Sequence, residues 1–106
     1  MTVMNEIWGK TFKKADEIVS RSIAGETLLV PIRGKLADMQ RIFALNPVGE
    51  YIWKRLDGEK PLGEIRNEVL SHFDVDREEA ENDIQAFISD LIKENLITGN
   101  EDYEMH

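Results

Sequence analysis

Between residues 45 and 97, apolar side chains recur at three- and four-residue steps in three consecutive segments, which directly follow three short runs favouring extended structure. A strand-like half followed by a helix-like half leaves few architectures beyond a small antiparallel sheet covered by helices. The junction is Asn46-Pro47, where the asparagine side chain can cap free amides and proline occupies the first turn without losing a needed donor. Val48, Ile52 and Leu56 then line one stripe, which Asp57 and Gly58 end. A second helix is expected from about Pro61, with Leu62, Ile65, Val69 and Phe73 on one side. The third has the clearest start, because Asp76 followed by Glu79 has capping-box spacing, and Glu78 and Glu79 complement the helix dipole. Its stripe is Ala80, Ile84, Phe87, Ile88, Leu91 and Ile92, with Asn95 or Gly99 expected to supply a left-handed exit.

Upstream, strands are expected over residues 18–23, 27–32 and 41–45, with Ala24, Gly25 and Glu26 joining the first two as a hairpin. Leu28, Val30 and Ile32 share one face of the second strand, and Pro31, which lacks a donor, marks an edge or a strand end. In the third, Phe43 and Leu45 point one way and Ile42 and Ala44 the other. The 106 residues suit a single core. They divide into an amino-terminal arm over 1–17, where Ile7, Trp8 and Phe12 are separated by Lys and Gly, a domain over 18–98 and an acidic tail over 99–106.

Charge is distributed unevenly. Residues 1–73 carry 11 Lys/Arg and 10 Asp/Glu, net +1, whereas residues 74–106 carry 2 and 11, net −9, which together give −8. Such an acidic end repels phosphate backbones and anionic lipid headgroups, so neither nucleic acid nor membrane is an expected partner. Without cysteine there is no disulfide, thiolate metal site or thiol nucleophile, and His72 and His106 are the only imidazoles. Ser20, Ser22, Ser71 and Ser89 lack an accompanying base, and no glycine-rich phosphate cradle occurs. No enzyme, metal or cofactor reading gains support. With no apolar run of bilayer length and no signal-peptide core, a soluble cytoplasmic protein is expected.

Three stretches carry a resemblance: Leu45-Asn46-Pro47-Val48-Gly49-Glu50-Tyr51-Ile52-Trp53, the Leu56-Asp57-Gly58 stop, and Phe73-Asp74-Val75-Asp76 ahead of an acidic helix and Leu96-Ile97. In this order, and over residues 18–97, the chain resembles the PqqD family. The resemblance implies an α+β fold similar to a winged helix-turn-helix, with a three-stranded antiparallel sheet followed by a three-helix bundle. It also implies a non-catalytic recognition element for the leader of a ribosomally made precursor peptide. Such an element presents the peptide to a modifying enzyme, commonly a radical S-adenosylmethionine protein, as in pyrroloquinoline quinone synthesis. The leader would add as a strand beside the third strand and lie against the third helix. The residues then expected to bind it are Arg41, Ile42, Phe43, Ala44 and Leu45 on the strand, and Asp83, Ile84, Phe87, Asp90 and Leu91 on the helix.

Independently of the family, an open three-stranded sheet leaves edges with unpaired amides and carbonyls. An added strand satisfies them through main-chain bonds indifferent to sequence, while pockets for alternate side chains supply selectivity. Phe43, Leu45, Ile84, Ile88 and Leu91 fit a plain core better than a binding surface. Asp83 and Asp90 suit a solvated helix face or a basic leader, whereas Arg41 with Arg33 and Lys35 suits an acidic one, so the sign of the leader stays open. A winged-helix DNA-binding regulator is the main alternative, but its third helix would bring Arg77 and Lys93 against Glu78, Glu79, Glu81, Asp83, Asp90 and Glu94. A homodimerisation module is another, in which the open edge pairs with its own copy or the arm covers it.

Overall fold

The computed structural model describes residues 7–16, 18–31 and 43–99. Its elements are β1 (Phe12–Lys14), β2 (Ile18–Ile23), β3 (Glu26–Pro31), β4 (Phe43–Leu45), α1 (Pro47–Arg55), α2 (Leu62–His72), α3 (Arg77–Lys93) and β5 (Ile97–Gly99). Strands β2, β3 and β4 form an antiparallel sheet in that order, and with the three helices they make the expected α+β architecture. The β2–β3 connection is shorter than expected, because Ile23 pairs with Glu26 and only Ala24 and Gly25 turn the chain. Both have positive φ, 54° and 84°. That is the pattern of a type I′ turn, whose twist matches the flanking strands. Pro31 is the last residue of β3, where its missing donor interrupts nothing.

Register decides which strand residues meet the helices. Thr27 pairs with Leu45 and Leu29 with Phe43, so these four share the inner face, and Leu29 is completely buried. Leu28 pairs with Arg21 and Ala44 on the outer face and is only half-buried. The helices follow the sequence pattern closely. The Gly49 amide donates to Asn46 Oδ1 at 2.7 Å, Pro47 sits in the first turn, and the chain leaves α1 through Leu56 and through Gly58 at φ 82°. Ile52, Trp53 and Leu56, then Leu62, Ile65 and Val69, then Ala80, Ile84, Ile88 and Leu91 converge on one core. Each large apolar side chain buried there stabilises the fold by about 1.5–3 kcal/mol.

Three expectations need correction. Asp76 is the N-cap of α3 but its side chain makes no capping bond; its carbonyl accepts from Ala80 at 2.8 Å, so the capping-box spacing is not used. Ile92 is 46% exposed, because one further residue turns the helix by about 100° away from the buried Leu91. Residues 7–16, read as part of an arm, belong to the core structure. β1 pairs antiparallel with β5, matching Phe12 to Gly99 and Lys14 to Ile97, and Phe12 is buried. The Gly58 amide donates to the Phe12 carbonyl at 2.8 Å, the Leu62 amide to the Lys10 carbonyl at 2.9 Å, and the Ala15 amide to the Leu96 carbonyl at 2.8 Å. Further out, Trp8 lies against Gly63 and under the Arg66 guanidinium, 4.9 Å from the ring centroid. At the other end Asn95, at φ 61°, supplies the left-handed exit from α3. The acidic tail beyond Gly99 and the loop 33–40 lie outside the described residues. Among those residues no helix is long and apolar enough to cross a membrane, and no cluster of three or more His, Asp or Glu is placed to hold a metal.

Candidate functional site

With the order β2-β3-β4, one side of β4 has no neighbouring strand among the described residues. Beside it, between β4 and α3, runs a groove of about 460 Å³. One wall is β4 itself, Phe43, Ala44 and Leu45. The start of α1, with Asn46, Val48, Gly49 and Ile52, forms the floor. Asp83, Ile84, Ala86, Phe87 and Asp90 of α3 form the other wall. Steps of four and three residues place Asp83, Phe87 and Asp90 on one stripe of the helix, while Ile84, Ile88 and Leu91 take the neighbouring stripe into the core.

The apolar centre of the groove is an aromatic pair. Phe43 and Phe87 meet edge to face, with centroids 6.4 Å apart and planes at 60°, both rings half-buried. The Phe87 ring reaches this position because residue 49 has no side chain. A Cβ at Gly49 would stand 3.3 Å from the ring and 3.2 Å from Asn46 Oδ1. Ala44 points to the outer face of the sheet and is exposed, so it borders the groove at its rim and also a second hollow of about 490 Å³, where Gly25, Glu26, Pro47 and Glu50 contribute. The two hollows meet at Ala44, Leu45 and Asn46.

Of the residues expected to bind a peptide, Phe43, Ala44, Leu45, Asp83, Ile84, Phe87 and Asp90 are brought together around this groove. Leu45 and Ile84 serve the core as well, being almost fully buried. Leu91 does not reach the groove; it is fully buried, because it follows Ile84 and Ile88 on the inward stripe. Arg41 and Ile42 lie outside the described residues. Asn46, Val48, Gly49, Ile52 and Ala86 line the groove without having been anticipated. The available signal was Gly49, since glycine inside a helix is unfavourable unless another group needs the space.

The other aromatics of α1 are engaged in packing. Trp53 is buried, with the Lys14 ammonium 5.5 Å from its ring, and burial pushes that ammonium's pKa down. Tyr51 stacks on His72 at 4.6 Å and carries the Arg55 guanidinium 3.5 Å from its ring. Arg55 and Lys60 also clamp Glu68, at 2.8 and 2.6 Å. The hydrogen bond from Lys60 first, and that from Arg55 second, hold the Glu68 carboxyl below the usual carboxylate range. This cluster ties α1 and the loop after it to α2.

An open strand edge opposed by a helix across an apolar groove is the arrangement that accepts an added strand. Residues 26–97 match the family of coenzyme PQQ synthesis protein D (PqqD), and the chain belongs to that family. The fold is similar to the structure of TbiB1 in complex with the TbiA(beta) leader peptide, at 30% identity over 85% of this chain and 99% of that one, with a TM-score of 0.66. It is also similar to lasso peptide synthetase B1 complexed with the leader peptide, at 21% identity over 82% and 96% of the two chains, with a TM-score of 0.67. At that identity the second likeness speaks for the fold alone. No curated protein sequence matches the chain.

Proposed function

We propose that this protein is a non-catalytic adaptor that binds the leader of a ribosomally synthesised precursor peptide as an extra strand on β4 and presents the peptide to a modifying enzyme. The observation that carries the proposal is that β4, with no neighbouring strand on one side among the described residues, faces α3 across a groove centred on Phe43 and Phe87, in a chain 30% identical to a protein whose structure contains a leader peptide. Main-chain hydrogen bonds to β4 contribute about 0.5–1.5 kcal/mol each whatever the peptide sequence. Selectivity then falls to the side chains that enter the groove. Phe43, Phe87 and Val48 receive an apolar one, Asp83 and Asp90 flank it, and Leu45 and Ile84 close the base. Arg41 and Ile42, which precede β4 in sequence, remain part of the proposed contact, and Leu91 supports it only by packing.

The recognition unit is the 18–98 domain together with β1, which covers Ile97. As a partner for a newly made peptide it belongs in the cytoplasm. The family resemblance points to a radical S-adenosylmethionine enzyme as the recipient of the bound peptide. Co-purification of this protein with the modifying enzyme encoded nearest to it identifies that partner. A DNA-binding role is disfavoured because α3 exposes Glu78, Glu79, Asp83 and Asp90, where groove binding needs cations.

The direct test is an amide chemical-shift titration with the leader of a short precursor peptide encoded beside the gene. Saturable shifts concentrated at residues 43–49 and 83–90 support the proposal. No shifts at about 0.5 mM peptide, equivalent to an affinity too weak to be useful, overturn it.

A further inference from the structure

The groove has a sign. Every ionisable side chain bordering it or the adjoining hollow, among the described residues, is a carboxylate: Asp83 and Asp90 on one side, Glu26 and Glu50 past Asn46 on the other. Glu50 shares its charge with Lys54 at 3.3 Å. Two other helix carboxylates are paired within the fold, Glu68 with Arg55 and Lys60 and Glu81 with Arg66 and Arg77. Asp83 and Asp90, by contrast, have no cationic partner among the described residues and are exposed at the groove. The cations that argued for an acidic leader, Arg33, Lys35 and Arg41, lie outside the described residues.

Spacing converts this charge into a pattern. Along α3, Asp83 and Asp90 stand seven residues apart, about 10.5 Å at 1.5 Å per residue, with Phe87 between them. In an added strand, side chains that face the same way recur every second residue, about 6.7 Å apart. An added strand lying along α3, with an apolar side chain seated on Phe43 and Phe87, sets its two next same-face neighbours about 13.4 Å apart, one just beyond Asp83 and the other just beyond Asp90, within reach of a flexible basic stem. We infer that the peptide recognised here carries an apolar anchor flanked, two residues away on each side, by Lys or Arg. This rests on strand addition at β4 and adds to it the charge and register of the ligand. Acidic residues at those positions would face unpaired carboxylates, which disfavours the wrong partner.

The test uses the full chain, immobilised, and a display library of random twelve-residue peptides as the probe. The expected result is enrichment of an apolar residue with Lys or Arg at both second neighbours. A synthetic peptide of that pattern should bind about fivefold more tightly than its serine-flanked analogue at low salt, as two exposed ion pairs allow, and the preference should shrink in high salt. The Asp83→Asn/Asp90→Asn double variant, checked by circular dichroism to be folded, should no longer enrich basic flanks. Enrichment of peptides with acidic or uncharged flanks, whose binding still shifts the β4 amides, overturns the charge pattern and leaves strand addition standing. Failure to enrich any peptide that shifts β4 overturns both.

Discussion

Alanine at Phe87 and alanine at Leu91, one turn apart on α3, should separate binding from stability. Leu91 is fully buried. Its truncation removes three carbons, about 2.4 kcal/mol of transfer free energy at 0.8 per methylene, and leaves a cavity among Ile84, Ile88 and the helices. With the cavity included, the loss should be about 3–4 kcal/mol, a large fraction of the roughly 5–15 kcal/mol typical of a domain. Phe87 is half-buried and its chief fixed contact is the edge-to-face pair with Phe43, so Phe87→Ala should lower stability by only about 1–2 kcal/mol. Binding should show the opposite order. Losing the aromatic wall of the groove is worth about 2 kcal/mol at a hot spot, or roughly thirtyfold in Kd, whereas folded Leu91→Ala keeps the groove surface. Urea denaturation gives the first pair of numbers, and fluorescence anisotropy of a labelled leader peptide, at a temperature where both variants are folded, gives the second. The reasoning fails if Phe87→Ala leaves Kd within about twofold of the parent. It fails equally if folded Leu91→Ala weakens binding as much as Phe87→Ala does.

Other substitutions probe the parts around this pair. Gly49→Ala gains helix propensity worth up to about 1 kcal/mol, but its Cβ would crowd the Phe87 ring from 3.3 Å, so stability should change little while peptide affinity falls; unchanged affinity would contradict the role given to the ring. Ala24→Asn should raise stability by about 0.5–1 kcal/mol, read as a Tm increase of a few degrees, because asparagine tolerates the left-handed turn position better than alanine. Ala44→Asp should weaken leader binding without unfolding the protein, since the residue is exposed on the strand that receives the peptide and strand addition would strip water from its new carboxylate. Glu68→Gln tests the clamp between α1 and α2. Because the folded carboxyl titrates below its unfolded value, its stabilisation is present above about pH 4.3 and is lost as pH falls through the folded value. The melting temperatures of parent and variant should therefore differ at neutral pH and converge in acid.

Much of this fold could be read from local chemistry. Asn46-Pro47 announces α1 with a side-chain acceptor, a proline that needs no donor there and a fixed φ, and its capping bond forms as the residue types require. The stripes of α2 and α3 reach the core because a 3.6-residue period can be counted. What escaped depends on distant residues or on the absence of a group. β1 and β5 are three residues each, and their pairing joins opposite ends of the chain, so no local signal could match Phe12 to Gly99. The inner face of β3 was set by its register with β4, which brought Thr27 and Leu29 to the helices although Leu28 and Val30 are equally apolar candidates. At Asp76 the sequence offers the right spacing, yet the cap forms through the backbone alone. At the candidate site, the two walls were expected from the family resemblance, and strand alternation and the helix stripe only say which side chains of each wall can face the groove. The floor was not expected, because the Phe87 ring settles against α1 only through what Gly49 lacks.

The peptide is proposed to join β4 rather than β2, whose outer side also has no neighbouring strand among the described residues. Amide hydrogen exchange, followed residue by residue with and without a saturating leader peptide, tests it most directly. Strand addition predicts slowed exchange at β4 amides that point away from β3, with β2 amides over Ile18–Ile23 unchanged. Protection appearing along β2, or a bound peptide that leaves Phe43, Ala44 and Leu45 exchanging as before, would contradict it.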